Sequence, residues 1–303
     1  MPKRLKVFAT MNGVEGTSGT PGVSGGDVRL MTVMKILSDR IDFTLGTTRM
    51  GQKLCRLNDV RAEYCLMRTG DKTGILGNLE RVIFSCANIP KQNFDLAYSG
   101  GEHLYDVLPA ALLKLRRGVP WLALVHWVEE LPWRDKRGGT PALHRYLYWL
   151  NRVVAMIVVK LFADRVLAVS ESTRRKLIDS RGFAPRLVGT VLCGIDLAAA
   201  TSVRNSVVPK AYDAVFMKRL NFGKGIRDLV EIWEKVVRTK SDARLQIIGS
   251  GPDAVVDEIK QIIDTKGLKN NIDLVGVVHD PAEKCMRLAQ SSVFILPSHE
   301  ENW

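Results

Sequence analysis

Arg219 and Lys224 carry the most pointed chemistry in this 303-residue chain. They lie in residues 214–225, AVFMKRLNFGKG. The apolar run 214–217 predicts a short buried strand, and Lys224-Gly225 predicts a helix start. That helix places Ile226, Leu229, Val230, Trp233, Val236 and Val237 on one face, with Arg227, Asp228, Glu231, Glu234 and Lys235 opposite. A strand end, fixed cations and a helix N-terminus together make an anion site, because unpaired N–H groups and the helix dipole favour negative charge. Arg219 can grip a phosphate through two parallel hydrogen bonds, and Lys224 adds a point charge. An ordinary strand–loop–helix with two solvated cations satisfies the same residues, and from this stretch alone both readings stand.

The elements that must position these residues alternate along the chain. Strands are predicted at 5–10, 41–45, 94–98, 121–125, 165–169, 188–193, 214–217, 245–248, 272–275 and 293–296. Helices are predicted at 27–38, 102–117, from about 141, at 170–180 and 226–238, after Pro252, and at 281–290, while residues 50–93 yield no assignment. Such alternation implies α/β units with parallel sheets and right-handed crossovers. Ligands of such sheets bind beyond the C-terminal strand ends, where Arg219, Gly249, Gly276 and Glu301 all fall. Gly25-Gly26, at the end of a Gly/Ser/Thr-rich loop, can admit a ligand close to the backbone or can simply be part of a flexible loop; the spacing is not that of a dinucleotide fingerprint. His126 ends the strand at 121–125 and reads equally as a site residue or a structural one. The helix from about 141 mixes aromatic, apolar and basic residues, which fits a membrane surface and fits core packing, the latter preferred.

Composition narrows the class. The net charge of +12 is uneven: residues 1–200 hold 29 Lys and Arg against 18 Asp and Glu, residues 201–303 hold 15 against 14. The basic first half points to an anionic partner, an acidic membrane surface or an anionic acceptor, and no nucleic-acid motif accompanies it. Five scattered cysteines form no CxxC or Cys/His cluster, so neither disulfides nor a metal site is expected, and a cytoplasmic location is. The longest apolar run, 153–159, is too short to span a bilayer. Residues 198–210 show little periodicity and read as a linker; the expected division is 1–197, linker 198–212, and 213–303.

Seven stretches in one order resemble the retaining GT-B glycosyltransferases of the family-4 type, "glycosyl transferases group 1". They are GGDVR at 25–29, VLAVSESTRRKL at 166–177, VLCGID at 191–196, KRLNFGKG at 218–225, LQIIGSGPD at 245–253, LVGVV at 274–278 and VFILPSHEE at 293–301. The resemblance implies a GT-B architecture, two Rossmann-like domains facing across a cleft, with a nucleotide-diphosphate sugar on the second and the acceptor mostly on the first. It implies that Arg219 and Lys224 neutralise the donor diphosphate, that Gly25-Gly26 faces it, and that His126 lies near the transferred sugar. Gly249 joins the donor edge, Gly276 and Val277 meet the base, and Glu301 contacts the sugar hydroxyls. Lys218 stands where the family's motif begins with glycine, a departure expected to alter the loop. The motif's second glutamate would lie past Trp303, so the chain reads as cut within its donor site.

The implied reaction is sugar transfer from a UDP- or GDP-sugar to a glycan or lipid-linked acceptor with retention, needing no cofactor or metal because fixed cations supply the charge. A GT-B-fold sugar-nucleotide epimerase and a non-catalytic nucleotide-sugar-binding or scaffold protein are the alternatives.

Overall fold

The computed structural model describes residues 4–299 apart from 15, 18–19, 22–23, 68–73, 129–130, 134–141, 193, 195–196, 205 and 279. The chain divides into two compact units. The first runs β1 (Leu5–Met11), the short hairpin β2 (Gly16–Thr17) and β3 (Thr20–Pro21), α1 (Gly25–Leu37), β4 (Ile41–Thr47), α2 (Arg49–Leu57), β5 (Glu63–Leu66) and α3 (Gly74–Ala87). It continues through β6 (Leu96–Ser99), α4 (Leu104–Arg117), β7 (Trp121–Val125), α5 (Ala142–Phe162), β8 (Arg165–Ala168), α6 (Glu171–Arg175) with a π-helical extension Lys176–Ser180, and β9 (Val188–Thr190).

Its sheet is parallel throughout, in the order β5-β4-β1-β6-β7-β8-β9, so the connection reverses direction between β1 and β6. Side-chain alternation explains why both faces are covered. Val7, Ala9 and Met11 of β1 pack with Leu30, Met34 and Leu45 on one face, and Phe8 packs with Val107, Leu113 and Trp121 on the other.

The second unit runs α7 (Leu197–Arg204), β10 (Tyr212–Met217), a 3-10 turn Phe222–Lys224, α8 (Ile226–Thr239), β11 (Leu245–Ile248), α9 (Asp253–Thr265), β12 (Ile272–Gly276), α10 (Pro281–Ala289) and β13 (Ser291–Phe294). Its parallel sheet has the order β12-β11-β10-β13, reversing between β10 and β13. Ala214 and Phe216 join α8 and α9 in the main core, while Val215 packs with Ile248 and Val278 on the other face.

Several expectations are corrected. The unassigned stretch contains α2, β5 and α3. The first half of the expected linker, residues 198–204, lies in α7: Leu197 and three alanines have high helix propensity, and the helix packs on α10. β13 begins two residues before the apolar run because Ser291 already pairs with Tyr212, and it ends two residues early where Ile295 and Leu296 pack against the core. β6 begins two residues late for the converse reason, since Phe94 packs into the core from the preceding loop. The preferred core-packing reading of α5 holds for one face, where Arg152, Ala155, Met156 and Val159 are buried, but the opposite face is exposed.

Candidate functional site

In the second unit, the loops after β10, β11 and β12 are joined backbone to backbone. Lys218 N–H donates to Ile248 O (3.1 Å), Leu220 N–H to Ser250 O (2.9 Å), and Gly249 N–H to Gly276 O (2.8 Å). This close approach excludes side chains. A Cβ at Gly249 would lie 2.0 Å from Lys218 O, and one at Gly251 2.0 Å from Leu220 O. The segment after β13 closes the same edge: a Cβ at Gly225 would meet Pro297 O at 2.0 Å, and His299 N–H donates to Gly223 O at 3.1 Å. Gly225 (φ +70°) and Gly249 (φ +137°) also hold backbone conformations that a Cβ disfavours. Arg219, Lys224, Gly249, Gly276 and exposed Val277 thus all lie at or beyond the C-terminal ends of β10, β11 and β12 along one side of the sheet, with the loop of Arg219 and Lys224 at the reversal between β10 and β13.

The loop carrying the cations is built locally. The Asn221 side chain accepts Lys224 N–H at 2.9 Å and starts the 3-10 turn. Arg227 stacks on Phe222, its guanidinium carbon 3.6 Å from the ring centroid, and is ion-paired with Glu258. Gly225 then opens α8 with no side-chain cap, so its first N–H groups are not answered by a capping oxygen. His299 reaches back to Asp228 at 2.6 Å. The Lys218 departure leaves the backbone unstrained: among the described residues Asp59 is the one non-glycine with positive φ, so the loop does not need glycine there. Glu301 and its neighbour Glu300 lie outside the described residues.

In the first unit, the reversal between β1 and β6 is built from side chains instead. Ser24 caps α1 in a capping box: its hydroxyl accepts Asp27 N–H, and Asp27 accepts Ser24 N–H at 2.9 Å. Gly25 and Gly26 therefore lie in the first helical turn and not in the loop, with their N–H groups outside the box. Gly26 faces His126 so closely that a Cβ there would sit 3.1 Å from Nε2. His126 Nε2 lies 3.0 Å from Gly100 O; a carbonyl only accepts, so Nε2 carries the proton in this arrangement. The structural tie of His126 is thus explicit.

Two groups behind His126 carry no sequence motif. Buried Glu102 accepts His126 N–H at 3.1 Å and is ion-paired with buried Arg152, which also donates to Trp127 O at 3.1 Å. Burial opposes the Glu102 charge, yet Arg152, His126 and His103 together hold its carboxyl below the usual range. Nearby, buried Asp106 accepts Asn12 N–H at 2.8 Å, and burial pushes its carboxyl up to about 7. Burial and Arg152 push His103 down to about 4, where it stacks on Tyr105. The available signal for Arg152 was a lone charge beside an apolar run, which demands a partner once buried.

The comparisons with known proteins agree with this picture. The family model "Glycosyltransferase Family 4" matches residues 77–199, and "Glycosyl transferases group 1" matches residues 211–303. No curated protein matches the chain significantly. Among solved structures, HepE of Anabaena in complex with UDP and glucose is similar at 18% identity and TM-score 0.69, covering 99% of this chain and 76% of that one. The lipopolysaccharide outer core galactosyltransferase WaaB is similar at 16% identity and TM-score 0.60, covering 98% and 75%. A Listeria monocytogenes protein assigned as a UDP-N-acetylglucosamine 2-epimerase is more distant, at 12% identity and TM-score 0.56, covering 93% and 71%. The two family matches and the shared fold support a glycosyltransferase whose Rossmann-like units are consistent with the GT-B architecture.

Proposed function

We propose that the chain transfers a sugar from a nucleotide-diphosphate sugar, UDP- or GDP-linked, to a glycan or lipid-linked acceptor with retention at the anomeric carbon. The observation that supports this reading is the glycine-locked edge of the second unit, whose loop carries Arg219 and Lys224 in sequence just ahead of a helix start without a side-chain cap. A diphosphate leaving group gains negative charge as the glycosidic bond breaks, and fixed cations with preorganised N–H groups stabilise that charge. In the transfer, the acceptor oxygen bonds the anomeric carbon, the bond from that carbon to the phosphate oxygen breaks, and the acceptor proton passes to the leaving phosphate.

Gly276 and Val277 would meet the base, Gly25 and Gly26 the diphosphate, and His126 and Glu301 the transferred sugar. HepE structures with UDP and with UDP-glucose support the donor class. The test is incubation with UDP- and GDP-sugars and lipid-linked or glycan acceptors. The reading predicts a glycosylated product that Arg219→Ala with Lys224→Ala abolishes. Transfer surviving that double change overturns it. Donor epimerised without acceptor would instead identify an epimerase, and donor binding without turnover a binding protein.

A further inference from the structure

The exposed face of α5 carries an apolar row whose spacing reads the same in both directions. Leu143, Leu147, Leu150, Val154, Ile157 and Leu161 follow one another at steps of four, three, four, three and four residues, which holds them in one line along the helix. Each is exposed, although the helix buries Arg152, Ala155, Met156 and Val159 on its other side. Alternating steps of four and three are the a and d positions of a heptad, the spacing of a seam between two helices. α3, which touches α5, exposes Leu76, Leu79 and Ile83 as well. Together these side chains, about half exposed, present on the order of 800 Å² of apolar surface, one partner's share of a standard interface.

The order of the steps selects a second copy as the occupant. An interface about a two-fold axis must be self-complementary. Turned end for end about an axis level with position 152, the row meets itself: Leu143 faces Leu161, Leu147 faces Ile157, and Leu150 faces Val154. The antiparallel arrangement also sets the start of each helix beside the end of its partner, where the dipoles attract. The positions beside the row raise little repulsion. They are His144, Asn151 and Val158 on one side and Tyr146, Val153 and Lys160 on the other, and Lys160 Nζ donates to Arg181 O at 2.7 Å. Arg145 and Arg152 fall on the opposite side of the helix, where Arg152 is ion-paired with Glu102. A helix that rests on anionic lipid is rich in cations along its polar face, whereas a single lysine edges this row.

We propose that the chain forms a two-fold dimer in which α5 packs antiparallel on the α5 of a second copy. The test is sedimentation equilibrium of the full chain. It contains neither donor nor acceptor, so it fails or succeeds independently of the transfer reading. The chain should be dimeric at about 10 μM, within the range that interfaces of this size reach. Leu150→Asp with Ile157→Asp should weaken the dimer about a hundredfold or more, because pairing would bury unanswered carboxylates. Direction is read by mixing two variants altered at the exposed ends of the row, which also serve should the central pair misfold. Leu143→Asp with Leu147→Asp, and separately Ile157→Lys with Leu161→Lys, should each be monomeric alone. Mixed in equal amounts they should dimerise, since the aspartates of one chain then face the lysines of the other while the opposite ends stay apolar. A monomeric wild-type chain overturns the proposal, and its flotation with phosphatidylglycerol vesicles would then give the row to lipid. A folded stripe variant that dimerises as tightly as wild type overturns it as well. So does a mixture that stays monomeric, because antiparallel helices must bring those charges together.

Discussion

The two units solve one topological problem by opposite means. Each parallel sheet reverses its connection at one point, between β1 and β6 in the first and between β10 and β13 in the second. The first unit closes that point with buried side chains: Glu102 with Arg152, Asp106 with Asn12, and His126 on Gly100 O. The second closes it with missing side chains, since Gly225, Gly249 and Gly251 let backbones meet where a Cβ would be only 2.0 Å from a carbonyl oxygen. The chemical result differs accordingly. The first edge holds the buried carboxylates Glu102 and Asp106, whereas the second carries Arg219 and Lys224 in the loop that leads into the helix start at Gly225.

This contrast breaks most sharply at the ion pair. Glu102→Gln should cost about 3–5 kcal/mol in denaturant unfolding, because Arg152 is left buried and unanswered. Replacing both by leucine should cost less than the sum of the single changes. A loss under about 1 kcal/mol would show that the pair does not hold the first edge.

The second edge should fail through its glycines. Gly249→Ala combines a strained φ with a backbone clash and should cost about 2–4 kcal/mol. Gly276→Ala meets open space and only the φ penalty (φ +83°), so about 1–2 kcal/mol is expected. Equal effects in thermal unfolding would remove the close approach as the cause.

The smallest effect distinguishes the first edge by pH. The folded state holds the Asp106 carboxyl at about 7, above its ordinary 3.8. Between those values the folded chain binds more protons than the unfolded one, so this residue's contribution to stability falls as pH rises through the window. Asp106→Asn should therefore gain melting temperature relative to wild type on going from below about pH 4 to above about pH 7. A difference that is constant with pH would refute the assignment.

The second edge was far more legible in the sequence than the first. Strand ends, glycines and cations fall within short local stretches, so residues 214–225 and 245–253 disclose their geometry from spacing alone. Glu102 and Arg152 are 50 residues apart, and nothing local says that they meet. Gly25 and Gly26 were legible as glycines near a helix, but the capping box of Ser24 and Asp27 moved them inside it. α7 was missed because three alanines show no apolar periodicity, although their helix propensity is high.

The most direct test of the central claim is calorimetric titration of the chain with UDP- and GDP-sugars, comparing wild type with Arg219→Ala plus Lys224→Ala. Two charge-assisted contacts are worth about 3–6 kcal/mol together, so affinity should fall about a hundredfold or more, with the fold intact by circular dichroism. A double variant that binds the donor as tightly as wild type would contradict the account.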